Sequence, residues 1–211
     1  MKKAFALVLA ACCIFTGISF ALPIVANEAE AGDAALAQIE IATAEDFLKI
    51  GNDANFPLDG SYLLKNDIAI TSEAYVPVGT YAAPFTGSFD GNGKTIKNLY
   101  INNTTSYEDQ GLFGYLGTSG DNKGTVQNLT VEGSVSSTVA NSNVGGVVGV
   151  NFGNVTGCYN TGKVTGTDDY VGGVVGWNAS GANVENCYNT GKVSGNRYVG
   201  GVVGYNSGNV E

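Results

Sequence analysis

Histidine is absent from all 211 residues. That removes the commonest general base and the usual nitrogen ligand of zinc from this stretch of chain. Methionine and tryptophan occur once each, and proline and cysteine four times each. Cys12 and Cys13 lie in an apolar N-terminal run, which leaves Cys158 and Cys187, too few to frame a disulfide scaffold. Lys and Arg total 10 against 19 Asp and Glu, a formal net charge of −9. Such a surface repels phosphate backbones and anionic membranes, so no nucleic acid is expected as a partner, and no membrane beyond the leader. A leucine stripe at helical spacing is also missing after the first quarter of the chain, which excludes helical repeats. What is abundant instead is glycine, 31 residues, with Asn, Thr, Val and Tyr around it. β-Branched and aromatic side chains fit a pleated surface, while Gly and Asn permit positive φ at turns. The composition predicts an all-β chain.

Residues 1–26 read as a signal peptide: Lys2 and Lys3 supply a positive start, and no charge follows until Glu28. Cleavage is expected after Ala26, with Ala21 and Ala31 as alternatives. The same run is long enough for an uncleaved anchor, and "LAAC" at 9–12 has the form of a lipoprotein cleavage box ending at Cys12. Every one of these readings places residues 32–211 outside the cytoplasm. Loss of the leader also removes two of the ten basic residues and makes the chain more acidic.

Residues 27–38 are polar and Ala-rich and read as a linker. Residues 39–110 are expected to form an N-terminal cap and the first β turns. Within them Thr43 is a candidate N-cap with Asp46 three residues on, predicting a short helix over 44–50 that Gly51 ends. "GSYLLKNDIAI" (60–70) is a strand candidate, and Asp90-Gly91-Asn92-Gly93 predicts a tight reversal. Residues 111–211 are repeats, diluted at first and regular from Val144. "VGGVVG" begins at residues 144, 171 and 199, and "CYNTGKV" occupies 158–164 and again 187–193. The third unit, "VGGVVGYNSGNVE", stops where "NCYN" is expected.

A period of this length signals units that bury a face only by stacking on their neighbours. The leucine-rich spine and the calcium-binding nonapeptide are both absent, and short strands with Gly and Asn corners remain. Coiled about one axis, they predict a parallel β-helix in which each residue lies over its own copy, about 4.8 Å away. Val148, Val175 and Val203 should form an interior ladder. Asn151, Asn178 and Asn206 should bond amide to amide, as should Asn160 and Asn189.

The unit "VGGVVGWNASGANVENCYNTGKVSGNRY" (171–198) resembles the GLUG motif, a Gly-rich repeat of large secreted and surface proteins of bacteria. Those proteins include immunoglobulin A-specific metallopeptidases and haemagglutinin-like adhesins. "ATAEDFLKI", "YLLKNDIAI" and "FTGSFDGNGKTIKNL" resemble the segment that commonly precedes such repeats, so the likeness covers residues 39–211. It implies a right-handed parallel β-helix or β-roll solenoid, used as a stalk or display module beside other domains.

Candidate chemistry is sparse. Asp168-Asp169 is a carboxylate pair that reads as solvated charge, with Asp169 aligned to Arg197 in the next unit. The Asp90 loop lacks the ligands of a calcium loop at its fifth and twelfth positions, Lys94 and Ile101. Cys158 and Cys187 are equivalent positions whose thiols would point the same way, predicting free buried thiols rather than a disulfide. No catalytic residue, cofactor or metal site is expected. Trp177 and Tyr205 share one repeat position and Tyr170 and Tyr198 another; these are the candidate ligand-face aromatics, for a host protein or a glycan. The alternative is cross-strand stacking that only stabilises the sheet.

The leading expectation is therefore a non-enzymatic extracellular β-helix module, a stalk or adhesin part. The alternative is the N-terminal part of a larger secreted hydrolase, such as an immunoglobulin A-type metallopeptidase, with its H-E-x-x-H string beyond residue 211. A polysaccharide-cleaving β-helix is the third. Residues 27–211 alone are expected to self-associate through the open edge of the last unit.

Overall fold

The computed structural model describes residues 38–71, 75–105, 109–118, 120–167 and 170–211. The leader, all of the linker but Gln38, and Asp168 and Asp169 lie outside the described residues. Strand pairing is parallel throughout the described residues and falls into three sheets, with no barrel. One five-residue helix, Ala44–Leu48, is the helical exception.

Each repeat feeds all three sheets. Val144–Gly145 pairs with Val171–Gly172 and that with Val199–Gly200. Val148–Asn151 pairs with Val175–Asn178, then with Val203–Asn206. The remaining strands of each copy join the large sheet, where Asn154–Thr156 meets Asn183–Glu185 and Tyr159–Asn160 meets Tyr188–Asn189. Identical strings therefore lie over one another, and the valine ladder has the expected register: Val148 over Val175 over Val203. Val148 and Val175 are fully buried, and each buried valine side chain contributes about 1.5 kcal/mol or more.

The asparagine ladder is present as well. Asn151 Nδ2 donates to Asn178 Oδ1 at 2.8 Å, and Asn178 Nδ2 donates to Asn206 Oδ1 at 2.8 Å. Asn160 Nδ2 donates to Asn189 Oδ1 at the same distance. A further ladder, not foreseen from the repeats, runs up the outside: Asn209 to Asn183 and Asn183 to Asn154, both at 2.9 Å. Corners fall on left-handed residues at one position in successive turns, Asn128 (φ 53°), Gly157 (φ 59°) and Asn186 (φ 52°).

The paired glycines have two separate reasons. A Cβ on the first would overlap its own turn: at Gly172 it would lie 1.8 Å from the Val175 carbonyl oxygen. A Cβ on the second would strike the next turn: at Gly173 it would lie 2.1 Å from the Gly201 carbonyl oxygen.

The N-terminal segment differs from the repeats in what it buries. Thr43 and Asp46 form the expected capping box, and the helix carries Phe47 inward to Phe89 (5.6 Å) and Phe113 (6.3 Å). Gly51 takes φ 77° just after it, as a chain leaving a helix requires. Residues 60–70 hold two strands, Ser61–Leu64 and Ile68–Ala69.

The expected reversal at Asp90–Gly93 does not occur. Ser88–Asn103 is one strand running parallel to Thr125–Ser137, with register shifts between Asp90 and Lys94 and between Ile96 and Leu99. Asn92 (φ 51°) and Gly93 (φ 69°) do adopt the left-handed pair that Asn-Gly favours. The groups that would close a hairpin bond elsewhere, however. Asn92 N–H donates to Asp90 Oδ1 (2.7 Å), and Asp90 also accepts from Gln127 and Asn128 of the next turn. The result is a kink in a continuous strand, with the Asp90 carboxylate bonded to its own kink and to the neighbouring strand.

Candidate functional site

One column of the repeat carries rings. Tyr115 pairs with Val150, Val150 with Trp177, and Trp177 with Tyr205. Valine leaves a gap in that column, and Phe152 fills it. Its ring stacks on Tyr115 at 5.5 Å and meets Trp177 edge-on at 5.7 Å. Tyr81, 81% exposed, extends the row beyond Tyr115 at 5.7 Å.

Tyr170 and Tyr198 come from another part of the repeat, immediately before "VGGVVG", yet they reach the same place. Tyr170 lies 6.3 Å from Trp177 and stacks on Tyr205 at 4.5 Å with 12° between planes. Tyr198 meets Tyr170 and Tyr205 edge-on, both at 5.3 Å. All four aromatics expected from the sequence are thus in one cluster, and ring contacts run unbroken from Tyr81 to Tyr198. The Tyr159–Tyr188 pair stacks by itself at 4.1 Å on the large sheet.

Sequence reasoning missed Tyr81, Tyr115 and Phe152. Tyr115 was legible, since "FGYL" (113–116) has the spacing of "VGVN" (148–151). Phe152 has no ring at its equivalent positions Ala179 and Ser207, so only three-dimensional packing reveals its part.

Tyr170 and Tyr198 hold φ of 52° and 49°. A bulky L-residue there costs roughly 1–2 kcal/mol. The sheet holds both in place, because their carbonyls accept from Val144 N–H (3.0 Å) and Val171 N–H (3.1 Å). Glycine would adopt this backbone without strain, so keeping tyrosine costs stability and positions a ring. Replacing Tyr198 by Gly should therefore leave thermal stability nearly unchanged, since relief of strain offsets lost ring contacts of about 0.5–1.5 kcal/mol. Tyr198→Ala keeps the strain and loses the ring, so its melting midpoint should fall below that of the Gly variant. The reverse order would show that the ring is there for stability.

The polar groups of the row are few. Trp177 Nε1 is buried and has no hydrogen-bond acceptor among the described residues. The Arg197 guanidinium lies 6.0 Å from the Tyr198 ring. Burial first, then the charge of Asp109 and the neighbouring Tyr81, pushes the Tyr115 hydroxyl up to about 12, so it remains a protonated donor at neutral pH. The outer amide ladder, half-buried at Asn154 and Asn183 and exposed at Asn209, passes close by in sequence, Asn154 standing two residues after Phe152.

Other groups gather less. Cys158 and Cys187 are both free thiols, Cys158 buried and Cys187 half-buried. Cys158 N–H donates to Cys187 Sγ at 3.4 Å. The side-chain bond between the two thiols, together with burial, pushes the Cys158 thiol up; the same thiol–thiol bond, and after it the Cys158 N–H, lowers Cys187. A cleft of about 410 Å³ lies beside the helix, walled by Phe47, Leu48, Tyr75, Val76 and Val78, with no charged side chain among its described lining. No helix among the described residues is long and apolar enough to cross a membrane.

Comparison with known proteins agrees with the repeat. The chain carries the GLUG motif twice, at residues 140–165 and 169–194. Over 97 residues, 46% of the chain, it is 41% identical to halomucin of Haloquadratum walsbyi (strain DSM 16790 / HBSQ001), of which it spans 1%. Among solved structures it resembles that of a candidate immunoglobulin A1 protease from Bacteroides ovatus, with a TM-score of 0.60 and 22% identity. That likeness covers 82% of this chain and 63% of the other, and it speaks for the fold.

Proposed function

We propose that this chain is a non-catalytic extracellular module of a surface or secreted protein, a right-handed parallel β-helix or β-roll that spaces or displays a binding face. The observation that carries this reading is the in-register stacking of GLUG copies, valine on valine and asparagine on asparagine, across successive turns. Such a coil lengthens by adding copies while its cross-section stays constant, which suits a stalk. The aromatic row along successive turns supports an adhesive role, because one strip can engage a partner at several points. The apolar leader, and the likeness to halomucin, support placement outside the cell.

A second reading makes the module part of a larger secreted hydrolase. The likeness to a candidate immunoglobulin A1 protease, of which this chain covers 63%, favours it.

The test is to fractionate the source cells and probe each fraction with an antibody to the repeat. The chain should be found in the wall or the medium; confinement to the cytoplasm would defeat both readings. A band near the calculated 21.7 kDa favours the stalk as a separate protein. A much larger band carrying proteolytic activity favours the hydrolase.

A further inference from the structure

We propose that the row from Tyr81 to Tyr198 is a binding track for an uncharged, linear polysaccharide; this rests on the extracellular reading above and names the ligand class of its binding face. Five observations converge. The rings follow one another across successive turns rather than surrounding a pocket, so the surface repeats along a line, as a polymer of like units does. Sugar rings present an apolar C–H face that lies on an aromatic ring and a hydroxyl edge that needs donors and acceptors. Asn154, two residues beyond Phe152 in the chain, begins the Asn154–Asn183–Asn209 amide ladder; Asn183 both donates and accepts within it, and all three side chains keep an N–H beyond the bonds that link them.

The charge pattern narrows the class. The Arg197 guanidinium lies beside the Tyr198 ring, but the chain as a whole carries a net charge of −9, so acidic polymers meet net repulsion. The phenol hydroxyls of the row suit the hydroxyl groups of a sugar. Then there is the strain. Tyr170 and Tyr198, in successive copies, both hold a left-handed backbone that glycine would fill more easily. A stability role gives no reason to repeat that arrangement, whereas a ligand that needs a ring at each turn does. Finally, Trp177 Nε1 is a donor in this row without an acceptor among the described residues, a group that a sugar hydroxyl would satisfy.

Trp177 is the one tryptophan in the chain, so its fluorescence reports on the row alone. The full chain is titrated with hydroxyethyl cellulose, laminarin, galactomannan and dextran, with alginate as the acidic comparison and a proline-rich peptide as the protein-like one. At least one neutral polymer should change the emission saturably and retard the chain in affinity electrophoresis. Tyr170→Gly/Tyr198→Gly, checked for an unchanged circular dichroism spectrum, should lose at least tenfold in affinity. Tyr170→Phe/Tyr198→Phe keeps the rings and should retain most of it. No response to any neutral polymer, an equal response in the glycine variant, or a response to alginate or the peptide alone would overturn the proposal. Each of those results would leave surface location, judged by fractionation, untouched.

Discussion

Replacing Asn178 by Ala should destabilise the chain by about 2–4 kcal/mol, among the largest losses expected from any single polar side chain in it. Asn178 is fully buried and joins three turns. It accepts from Asn151, donates to Asn206 Oδ1 (2.8 Å) and donates to the Asn209 carbonyl (3.0 Å). Each hydrogen bond by itself contributes only about 1 kcal/mol, but the Asn151 amide, left unmatched in the buried interior, costs about 1–3 kcal/mol more. Asp at this position should be worse than Ala. Its carboxylate would face the oxygens of Asn206 and Asn209 with no proton to offer, and an unpaired buried charge costs more than a missing amide. Asn206 stands in the same column but is exposed in the last copy, so water replaces what Asn206→Ala removes. Thermal or urea unfolding of the three variants should rank Asn206→Ala closest to the parent and Asn178→Asp furthest. Equal losses for Asn178→Ala and Asn206→Ala would mean the buried ladder has no special energetic role.

The second large effect concerns glycines. Gly173→Ala should cost about 3 kcal/mol or more, whereas Gly201→Ala should be neutral or stabilise by up to about 0.5 kcal/mol. The two residues occupy the same place in successive repeats. At Gly173 an added Cβ would lie 2.1 Å from the Gly201 carbonyl oxygen and 2.4 Å from Asn189 Cγ. No rotamer relieves this, because the backbone alone positions a Cβ. The turns would have to move apart, at the expense of the Gly146–Gly173 and Gly173–Gly200 backbone hydrogen bonds, each 3.2 Å. At Gly201 nothing lies within 4 Å of the added carbon. Denaturation of the two variants side by side isolates the contact between turns from any intrinsic preference for glycine. A comparable loss at both positions would refute stacking as the reason for the second glycine of "VGGVVG".

The aromatic row shows how differently its parts could be read in advance. Trp177 and Tyr205 share a repeat position, and so do Tyr170 and Tyr198, so each pair was visible as a recurrence. That the two pairs meet was not visible, because it depends on the left-handed turn at Tyr170 and Tyr198 folding their rings back onto the column. Phe152 was hidden for a related reason: it fills a gap that exists only once Val150 is seen beneath it. The Asn-Gly kink at residues 92–93 makes the same point for the backbone. The dihedral preference was read correctly, but whether a left-handed pair reverses the chain or only bends it depends on where its hydrogen bonds go.

By itself the sequence determined the strand-rich class, the period, the like-on-like register and the interior ladders. Those follow from local preference and repetition: identical strings one turn apart can satisfy identical groups only by lying over one another. Tertiary structure alone decided the meeting of the rings, the second amide ladder and the two different reasons for paired glycines. Each of these depends on distances between repeats, set by strand pairing and packing between the sheets, which no single repeat of sequence contains.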